Sequence, residues 1–571
     1  MKRRKFVTLG VTTMGALPML SLGSISRISN RFAPVKPSWL IELIHLNDAN
    51  VESQKKQQII DPTLASFGCF LDWEELPSPQ GTAGFISNAA CAVSCPESVF
   101  YRSVDLLRSV DNAIQYLLNI QHKDGTIDLL GTNFHSTPDT GFSVEKLTTA
   151  FVFIKTLPSD ISAKVIAKLS TYLKNAGEAL ISGGIHTPNH RWVVSAALSK
   201  LNKLWPNERY VNRANQWLGE HIDLDAEGQY TEKSTGGYTP MVDRLLIIIA
   251  NNFNKPEILE YVRKNLNMTM YYVHPNGEVV TEASNRQDKG TIGSMDGYYY
   301  SYRYLALLDK NGEYATMCKQ IEKRGFSNLL GSLDNFLENS FLWNELPNNL
   351  PVPVSYAKAF PLSGVARIRR NHWDATILSN NAAWLTFHKG DAVLQGMRVA
   401  ASFFGKGQFQ SSKINKNGDA WELYNKIEGV YYQPYPKEGI DPNGDLSKMP
   451  KTNRPKSEIQ QLESIIRITE TATGLSVDID IRGTEGVPVT VELAFRKGGV
   501  FAGLQPQTTS VNNFLIKDTF GSYTLGKDTI HFGPGRIEHK AFHLRGALPP
   551  LDAPSAYLTG FTPFKHTILL S

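Results

Sequence analysis

The chain has 571 residues, 42% of them apolar and 20% charged, with a formal net charge of +5. That length exceeds what one hydrophobic core supports, so two large domains are expected, with the composition of a soluble globular protein. The small net charge and the lack of any Lys/Arg-rich block interleaved with aromatics exclude nucleic acid as a partner.

The N-terminus reads as an address rather than as fold. Met1-Lys2-Arg3-Arg4-Lys5-Phe6 is a basic segment with twin arginines, followed by a mostly apolar run over 7–22. The pattern resembles a twin-arginine export signal over residues 1–30, with the mature start near 23–35 and a periplasmic or secreted destination. No other apolar run has the length of a membrane span, residues 245–250 being far too short. Cys69, Cys91, Cys95 and Cys318 form no Cys-x-x-Cys pair and lack a histidine at zinc-finger spacing. Buried thiols are expected, and the sequence assigns no metal and no cofactor.

From about 100 to 345 the periodicity is helical. Leu106, Leu107, Val110, Ile114, Leu117 and Leu118 make one buried stripe. Similar stripes occupy 142–157, 165–180, 192–204, 241–253, 258–272, 298–308 and 314–321. Between pairs of helices a glycine turn recurs and runs on into a polar loop. Its glycines, Gly125, Gly184, Gly228 and Gly277, lie 59, 44 and 49 residues apart. Two helices of about four turns and two connections fill that interval, a tandem of helical hairpins. The polar loops all follow the same helix of each pair, so a closed (α/α) toroid would gather them at one end.

After Pro351-Val352-Pro353 the pattern changes to short, β-branched runs punctuated by Gly, Asn, Asp and Pro. They fall at 383–387, 465–470, 475–481, 487–495, 513–518 and 566–570, with Val477-Asp478-Ile479-Asp480-Ile481 the clearest period-two case. Strands without intervening helices predict an antiparallel β-sandwich, and 433–455 reads as a long loop. The expected class is thus α+β multidomain: a catalytic (α/α) toroid of helical hairpins over 35–348, then an antiparallel β-sandwich over 350–571.

Two polar joints of the helical repeat carry chemistry. Thr187-Pro188-Asn189-His190-Arg191-Trp192 places an amide, an imidazole and a guanidinium on consecutive residues ahead of a helix. Forty-eight residues after His190 comes Tyr238, closing Glu227-Gly228-Gln229-Tyr230-Thr231-Glu232-Lys233-Ser234-Thr235-Gly236-Gly237-Tyr238. These groups suit β-elimination from a uronic acid. The C5 proton is weakly acidic while the adjacent carboxylate stays charged, so amide or imidazole donors that hold that carboxylate are central. A tyrosine hydroxyl near cations can protonate the leaving O4.

Helical repeats followed by a sandwich, an Asn-His pair before a helix, and the later glycine–Glu–Ser…Tyr loop resemble the alginate lyase and heparinase II/III-like polysaccharide lyases. The likeness covers the architecture of nearly the whole mature chain. At motif level it is confined to 185–195 and 227–240, with a weaker polar loop at 281–300. It implies a toroid and sandwich with substrate between them, Asn189 on the uronate carboxylate, His190 as base or charge neutraliser, and Tyr238 as general acid. Chondroitin and hyaluronate lyases of this architecture have a histidine in the glycine loop, where this chain has Glu232 or Lys233. His388 is a faint match to a His-rich motif that heparinase-like proteins carry in the sandwich.

The catalytic candidates are therefore Asn189, His190 and Tyr238. The candidates for substrate binding are Arg286, His135, Glu232, Asn285, Tyr298 and Arg191; Arg286 suits a carboxylate by its bidentate fork, and Asn285 shares its loop. His135 lies in the first polar loop and Arg191 beside the Asn-His pair. Glu232 serves to orient a neighbour, and Tyr298 begins the next helix in a tyrosine cluster otherwise suited to packing. The expected partner is an acidic polysaccharide; no oligomeric state follows. Two other readings are open. One is a glycoside hydrolase on the toroid using two of Asp128, Asp139, Glu232, Glu282 and Asp296; the other is a non-catalytic acidic-glycan-binding protein.

Overall fold

A computed structural model of the protein describes residues 35–507 and 510–571, with side chains omitted at 507–511; the expected export signal lies outside the described residues. The helices are α1 Ser38–Gln57, α2 Pro79–Ser94, α3 Val104–Ile120, α4 Thr137–Ile154, α5 Ser159–Ser182 and α6 His190–Leu204. They continue as α7 Glu208–Gly219, α8 Tyr238–Asn252, α9 Leu259–Thr269, α10 Tyr299–Asp309, α11 Gly312–Glu322 and α12 Leu333–Glu338. Helices α1, α2, α7 and α12 lie outside the stripes that the periodicity reveals. Helix α2, with Ala, Ser and Thr on its buried side, shows little contrast between faces.

Helices α2, α4, α6, α8 and α10 pack in succession as an inner row, and each pairs with the next helix of the chain outside it. Helix α12 touches α2 and α4, and the one-turn segment Ser340–Trp343 touches α10, so the row curls into a ring. Each inner helix begins where a polar loop ends. Ser78 and Ser136 cap two of these starts by accepting Gly81 N–H at 3.0 Å and Asp139 N–H at 3.2 Å. Five helix N-termini, with their unpaired N–H groups and partial positive charge, therefore collect at one end.

The glycine repeat has a steric cause, and it corrects the sequence count. Gly68, Gly125 and Gly228 all have φ between +85° and +98°. A Cβ on them would lie 2.3, 2.0 and 2.6 Å from the backbone oxygens of Asn112, Asn175 and Lys264, each in an outer helix. A side-chain amide locks each contact by donating to the glycine carbonyl: Gln58 to Gly68, Gln121 to Gly125 and Asn265 to Gly228. Gly184 lacks both the positive φ and the close approach. The repeat therefore begins at Gly68, Gly277 shares its positive φ without the close backbone approach, and Gly184 is an ordinary loop residue.

Beyond Pro353, two sheets face each other across a core that includes Trp384, Phe387, Leu394, Ile466, Ile479, Leu493 and Phe564. One runs from the edge strand Ser355–Phe360 through Val365–Arg370, Trp373–Leu378, Leu385–Lys389, Ala392–Ala401, Pro488–Phe495 and Ser555–Phe561 to two short strands. The other contains Ala420–Tyr432, Lys456–Glu470 and Leu475–Gly483, whose burial alternates residue by residue as its sequence predicts. Among the described strands pairing is antiparallel except where 513–515 runs parallel to 555–557, and Ile537 makes a lone parallel bridge to Thr559.

The toroid's loop end docks on the first sheet. Met268, Tyr272, Val280, Phe360, Val365 and Leu378 form a small apolar seam. Around it Glu227 accepts the Leu362 and Ser363 N–H groups at 3.0 and 3.1 Å, and Arg496 grips Glu278 through two bonds of 2.9 and 2.8 Å. The polar loops are thus held between the two halves.

Candidate active site

The 187–192 segment turns into α6 without a side-chain cap, because Asn189 is itself in the right-handed helical region. Its side chain is buried and points to the neighbouring loop. Glu232 Oε1 accepts from Asn189 Nδ2 at 2.7 Å and from its backbone N–H at 3.1 Å, while Thr187 Oγ1 takes a longer bond from Nδ2 at 3.3 Å. The amide oxygen of Asn189 is buried and unpartnered. The Arg286 guanidinium comes within 3.6 Å of the other oxygen of Glu232 and lies over the Tyr238 ring, 5.2 Å from its centroid. Asn189, Glu232, Arg286 and Tyr238 therefore form one chain of contacts.

His190 stands at the first position of α6, half-buried, edge-on to His186 at 4.7 Å and to Phe142 at 6.3 Å between ring centres. Burial, then the nearby His186 and Arg286, push its pKa down to about 4, against a smaller opposing pull from Asp139. Its imidazole is neutral near pH 7, and its Nδ1 is buried without a partner. The cation in this site is Arg286.

Tyr238 opens α8, so its hydroxyl belongs to a residue at a positive helix end. Asp288, which the sequence reading missed, pins its loop. The carboxylate accepts from Ser234 Oγ at 3.0 Å, Ser284 Oγ at 2.5 Å and Gly236 N–H at 2.8 Å, while Ser234 Oγ accepts from Tyr238 N–H at 3.0 Å. One side chain thereby binds the Tyr238 loop to the Arg286 loop.

Other candidates take different places. Arg191 is buried and committed: it bonds Asp223 at 2.9 Å, the His221 carbonyl at 3.1 Å and Glu220 at 3.4 Å, so it anchors α6 rather than reaching a ligand. Tyr298 is fully buried and donates to the Thr235 carbonyl at 2.7 Å, a core position that corrects its assignment to substrate binding. Its neighbours Tyr299, Tyr300 and Tyr302 are buried too. Asn285 is exposed beside Arg286. His135 is exposed, bonds Asp124 at 2.7 Å, and stacks on His122 at 3.8 Å with φ of +46°. It lines an open pocket of about 380 Å³ with Phe134 and His186, the latter leading to His190.

The five acids considered for hydrolysis are engaged. Asp139 accepts from Gln80, Asn133 and Ser136, and Asp128 bonds His122 and the His135 N–H. Asp296 accepts from Ser294, and Glu282 accepts from Thr376 and Thr386. Burial pushes Glu282 up, but His274 outweighs it and keeps the carboxyl well below its usual range, the wrong direction for a general acid.

A second cluster lies where loop and sheet meet. His274 Nδ1 is 3.0 Å from Asp374 and its Nε2 is 3.5 Å from Glu282; the His388 ring stacks on His274 at 3.6 Å. His274, Asp374 and His388 offer ligand atoms within 4.8 Å of one another, and all three are buried. Two imidazoles and a carboxylate are a donor set for zinc or a similar divalent ion. His388 fits as a ligand, because its Nδ1 is buried without a partner and burial, then His274, lowers its pKa to about 3. Burial alone would lower His274; Asp374 and Glu282 overcome this and raise it to about 9. The field holding that proton is one a divalent cation would satisfy. The sequence assigned no metal because His274 lies a hundred or more positions from Asp374 and His388.

No protein-family model matches the chain, and no curated protein matches its sequence. Solved structures do. A xanthan lyase from Paenibacillus superposes with a TM-score of 0.53 at 10% identity, over 86% of this chain and 51% of that one. The chondroitin AC lyase of Streptomyces coelicolor A3, in complex with chondroitin sulphate, gives 0.50 at 12% identity, over 83% and 71%. Heparinase III gives 0.49 at 11%, over 87% and 76%. This chain spans about half the length of the xanthan lyase. The fold is the one seen in these chondroitin and xanthan lyase structures. No helix among the described residues is long and apolar enough to cross a membrane.

Proposed function

We propose that the protein is an exported lyase that cleaves a uronic-acid-containing polysaccharide by β-elimination, the toroid of 35–348 and the sandwich of 350–571 acting as two domains around the substrate. The observation that carries this reading is the stacking of Arg286 on Tyr238 beside Glu232, Asn189 and His190. It puts a guanidinium, a phenol and a neutral imidazole together without a pair of free carboxylates.

In this reading Arg286 takes the uronate carboxylate through its planar fork, supported by the positive ends of the inner helices. Asn285 and His135 flank the chain. Glu232 keeps Arg286 and Asn189 in register. The C5 proton passes to His190, the C5–H electron pair becomes the C4=C5 double bond, and the C4–O4 bond breaks with its pair on oxygen. Tyr238 gives its proton to O4 and regains one from His190 through solvent. The low basicity of His190 belongs to the ligand-free site; a carboxylate that neutralises Arg286 and adds negative charge raises it where it is needed. A divalent ion held by His274, Asp374 and His388 would supply a structural tie between loop and sheet.

The test is a panel of acidic polysaccharides followed by the ultraviolet absorbance of a conjugated C4=C5 bond. Chain shortening without that absorbance would replace the lyase reading with hydrolysis. Saturable binding without any cleavage would make the protein a glycan-binding one.

A further inference from the structure

A second cavity lies elsewhere in the toroid. It measures about 480 Å³, within the roughly 300–1,000 Å³ of small-molecule pockets. Lys200 of α6, Asn252 of α8 and Tyr300 and Leu308 of α10 line it, closed by Glu338 and Phe341. His190 and Tyr238 are the first residues of α6 and α8, whereas Lys200 and Asn252 lie 10 and 14 residues further on. At 1.5 Å per residue the cavity is about 15–20 Å down these helices from the candidate active site. No role in the proposed elimination falls to it.

Its chemistry is polar without excess charge. Lys200 Nζ is buried and fully engaged, donating to Thr149 Oγ1 at 2.7 Å, Glu338 at 3.1 Å and the Glu145 carbonyl at 3.3 Å. Glu145 is shared with Arg244 at 2.8 Å. These charges answer one another, so the wall demands no counter-ion. What remains open is neutral hydrogen-bonding capacity. The Tyr300 side chain is only 4% exposed and lines the cavity, and among the described residues its hydroxyl has no hydrogen-bond partner. Burial pushes that phenol well above its usual range, so it stays a donor. Asn335 spends its nitrogen on Asp334 and keeps its carbonyl free, while Asn251 accepts from Tyr304 at 2.7 Å and keeps its amide donors. Ile248, Leu308 and Phe341 supply apolar surface between these groups.

We propose that this cavity is a second carbohydrate site, for a neutral sugar unit, separate from the cleft at the loop end. A pyranose without a charged substituent alternates hydroxyls with C–H faces, which is the alternation of amides, phenol and aliphatic side chains on this wall. An anionic sugar would leave its charge facing Glu338 with only the exposed Lys203 in compensation.

Titration of the full-length mature protein, followed by ligand-observed NMR, tests this with glucose, galactose, mannose, cellobiose and glucuronate as probes. A neutral probe should give saturable binding that Tyr300→Phe weakens about tenfold, the loss of one buried hydrogen bond. Leu308→Trp, which fills the partly exposed mouth, should abolish it. Arg286→Ala should leave it unchanged. Absence of saturable binding by every neutral probe overturns the proposal. So does binding indifferent to Tyr300→Phe and Leu308→Trp but lost in Arg286→Ala, which would place the sugar in the loop-end cleft. Preferential binding of glucuronate that depends on Lys203 would overturn the neutral assignment. The readout is binding, so failure here leaves the lyase reading standing, and loss of elimination leaves this one standing.

Discussion

Glu232 holds Asn189 across 43 positions of sequence, accepting its side-chain amide at 2.7 Å and its backbone N–H at 3.1 Å. Both residues were candidates from the sequence, but their roles change with this contact. Asn189 has its amide hydrogens on Glu232 and Thr187, so its influence on a substrate passes through the carboxylate that also faces Arg286. Glu232→Gln should therefore disturb two residues at once. It removes the charge facing Arg286 and offers an amide where Asn189 needs an acceptor. Turnover should fall by more than tenfold, and Asn189→Ala added to it should cost little more, because the two act as a unit. A double-mutant cycle of kcat/KM measures this; additive losses would separate their functions.

Tyr238→Phe removes one hydroxyl at the start of α8 and leaves the ring beneath Arg286. Thermal stability should be nearly unchanged and substrate binding retained, while kcat falls by the ~10²–10⁴ typical of general acid–base groups. Arg286→Lys keeps a charge but loses the planar fork and the stacking. Its effect should be larger on KM than that of Tyr238→Phe. Wild-type turnover in Tyr238→Phe would remove the tyrosine from the chemistry.

The sequence made the two halves of the molecule legible through their periods, 3.6 in the helices and two in strands such as Leu475–Gly483. It also marked the Asn-His pair and the Tyr238 loop, because polar residues at repeat joints stand out against apolar stripes. It could not show which polar residues are turned inward. Arg191 and Tyr298 resemble ligand-binding groups by type and position, and only packing reveals that Asp223 and the Thr235 carbonyl have taken them. Asp288 gave no signal, since its value lies in bonding two loops at once. Asp374 and His388 pair across neighbouring strands of the sandwich, but His274 joins them only where the toroid meets that sheet.

That cluster makes a compositional prediction. Protein purified without chelator should contain about one equivalent of a divalent metal, zinc being favoured by the two imidazoles. Removing the metal should lower Tm, because a ligand bound only by the folded state stabilises it. His388→Ala should lose the metal and show the lower Tm from the outset. Elemental analysis of both proteins checks this; metal retained by His388→Ala would exclude the assigned ligands.

Lys200 and Glu145 sit in an ion-paired layer of the toroid, 4% and 3% exposed at their side chains. Lys200→Ala would leave Glu145 and Glu338 short of a buried partner, which costs about 3–5 kcal/mol in such sites. Lys200→Met, which fills the volume, would leave the same carboxylates unpaired and should be nearly as damaging. Adding Glu145→Gln to Lys200→Met should recover part of the loss. Denaturant unfolding of these variants gives the answer, and an unchanged midpoint in Lys200→Ala would show that solvent reaches the layer.

His190 gives the most discriminating pH test. In the free protein its pKa is about 4, so the neutral form persists across the ordinary working range. The acid limb of kcat/KM, which reports the free enzyme, should then lie near pH 4, while the limb of kcat, which reports the complex, should lie higher. The shift follows from the bound carboxylate, whose negative charge and whose hold on Arg286 both favour the imidazolium. Stability has a matching signature. The unfolded chain takes up the proton near pH ~6.5 and the folded chain only near 4, so between these values the unfolded state binds more protons. Stability must fall as pH drops through that window and then become indifferent to His190 below it. His190→Gln should flatten this part of the stability profile and remove the acid limb of kcat together with most of the turnover. Coincident limbs for kcat and kcat/KM in the wild type would show that the substrate carboxylate does not sit against His190, and the base would have to be sought at Tyr238.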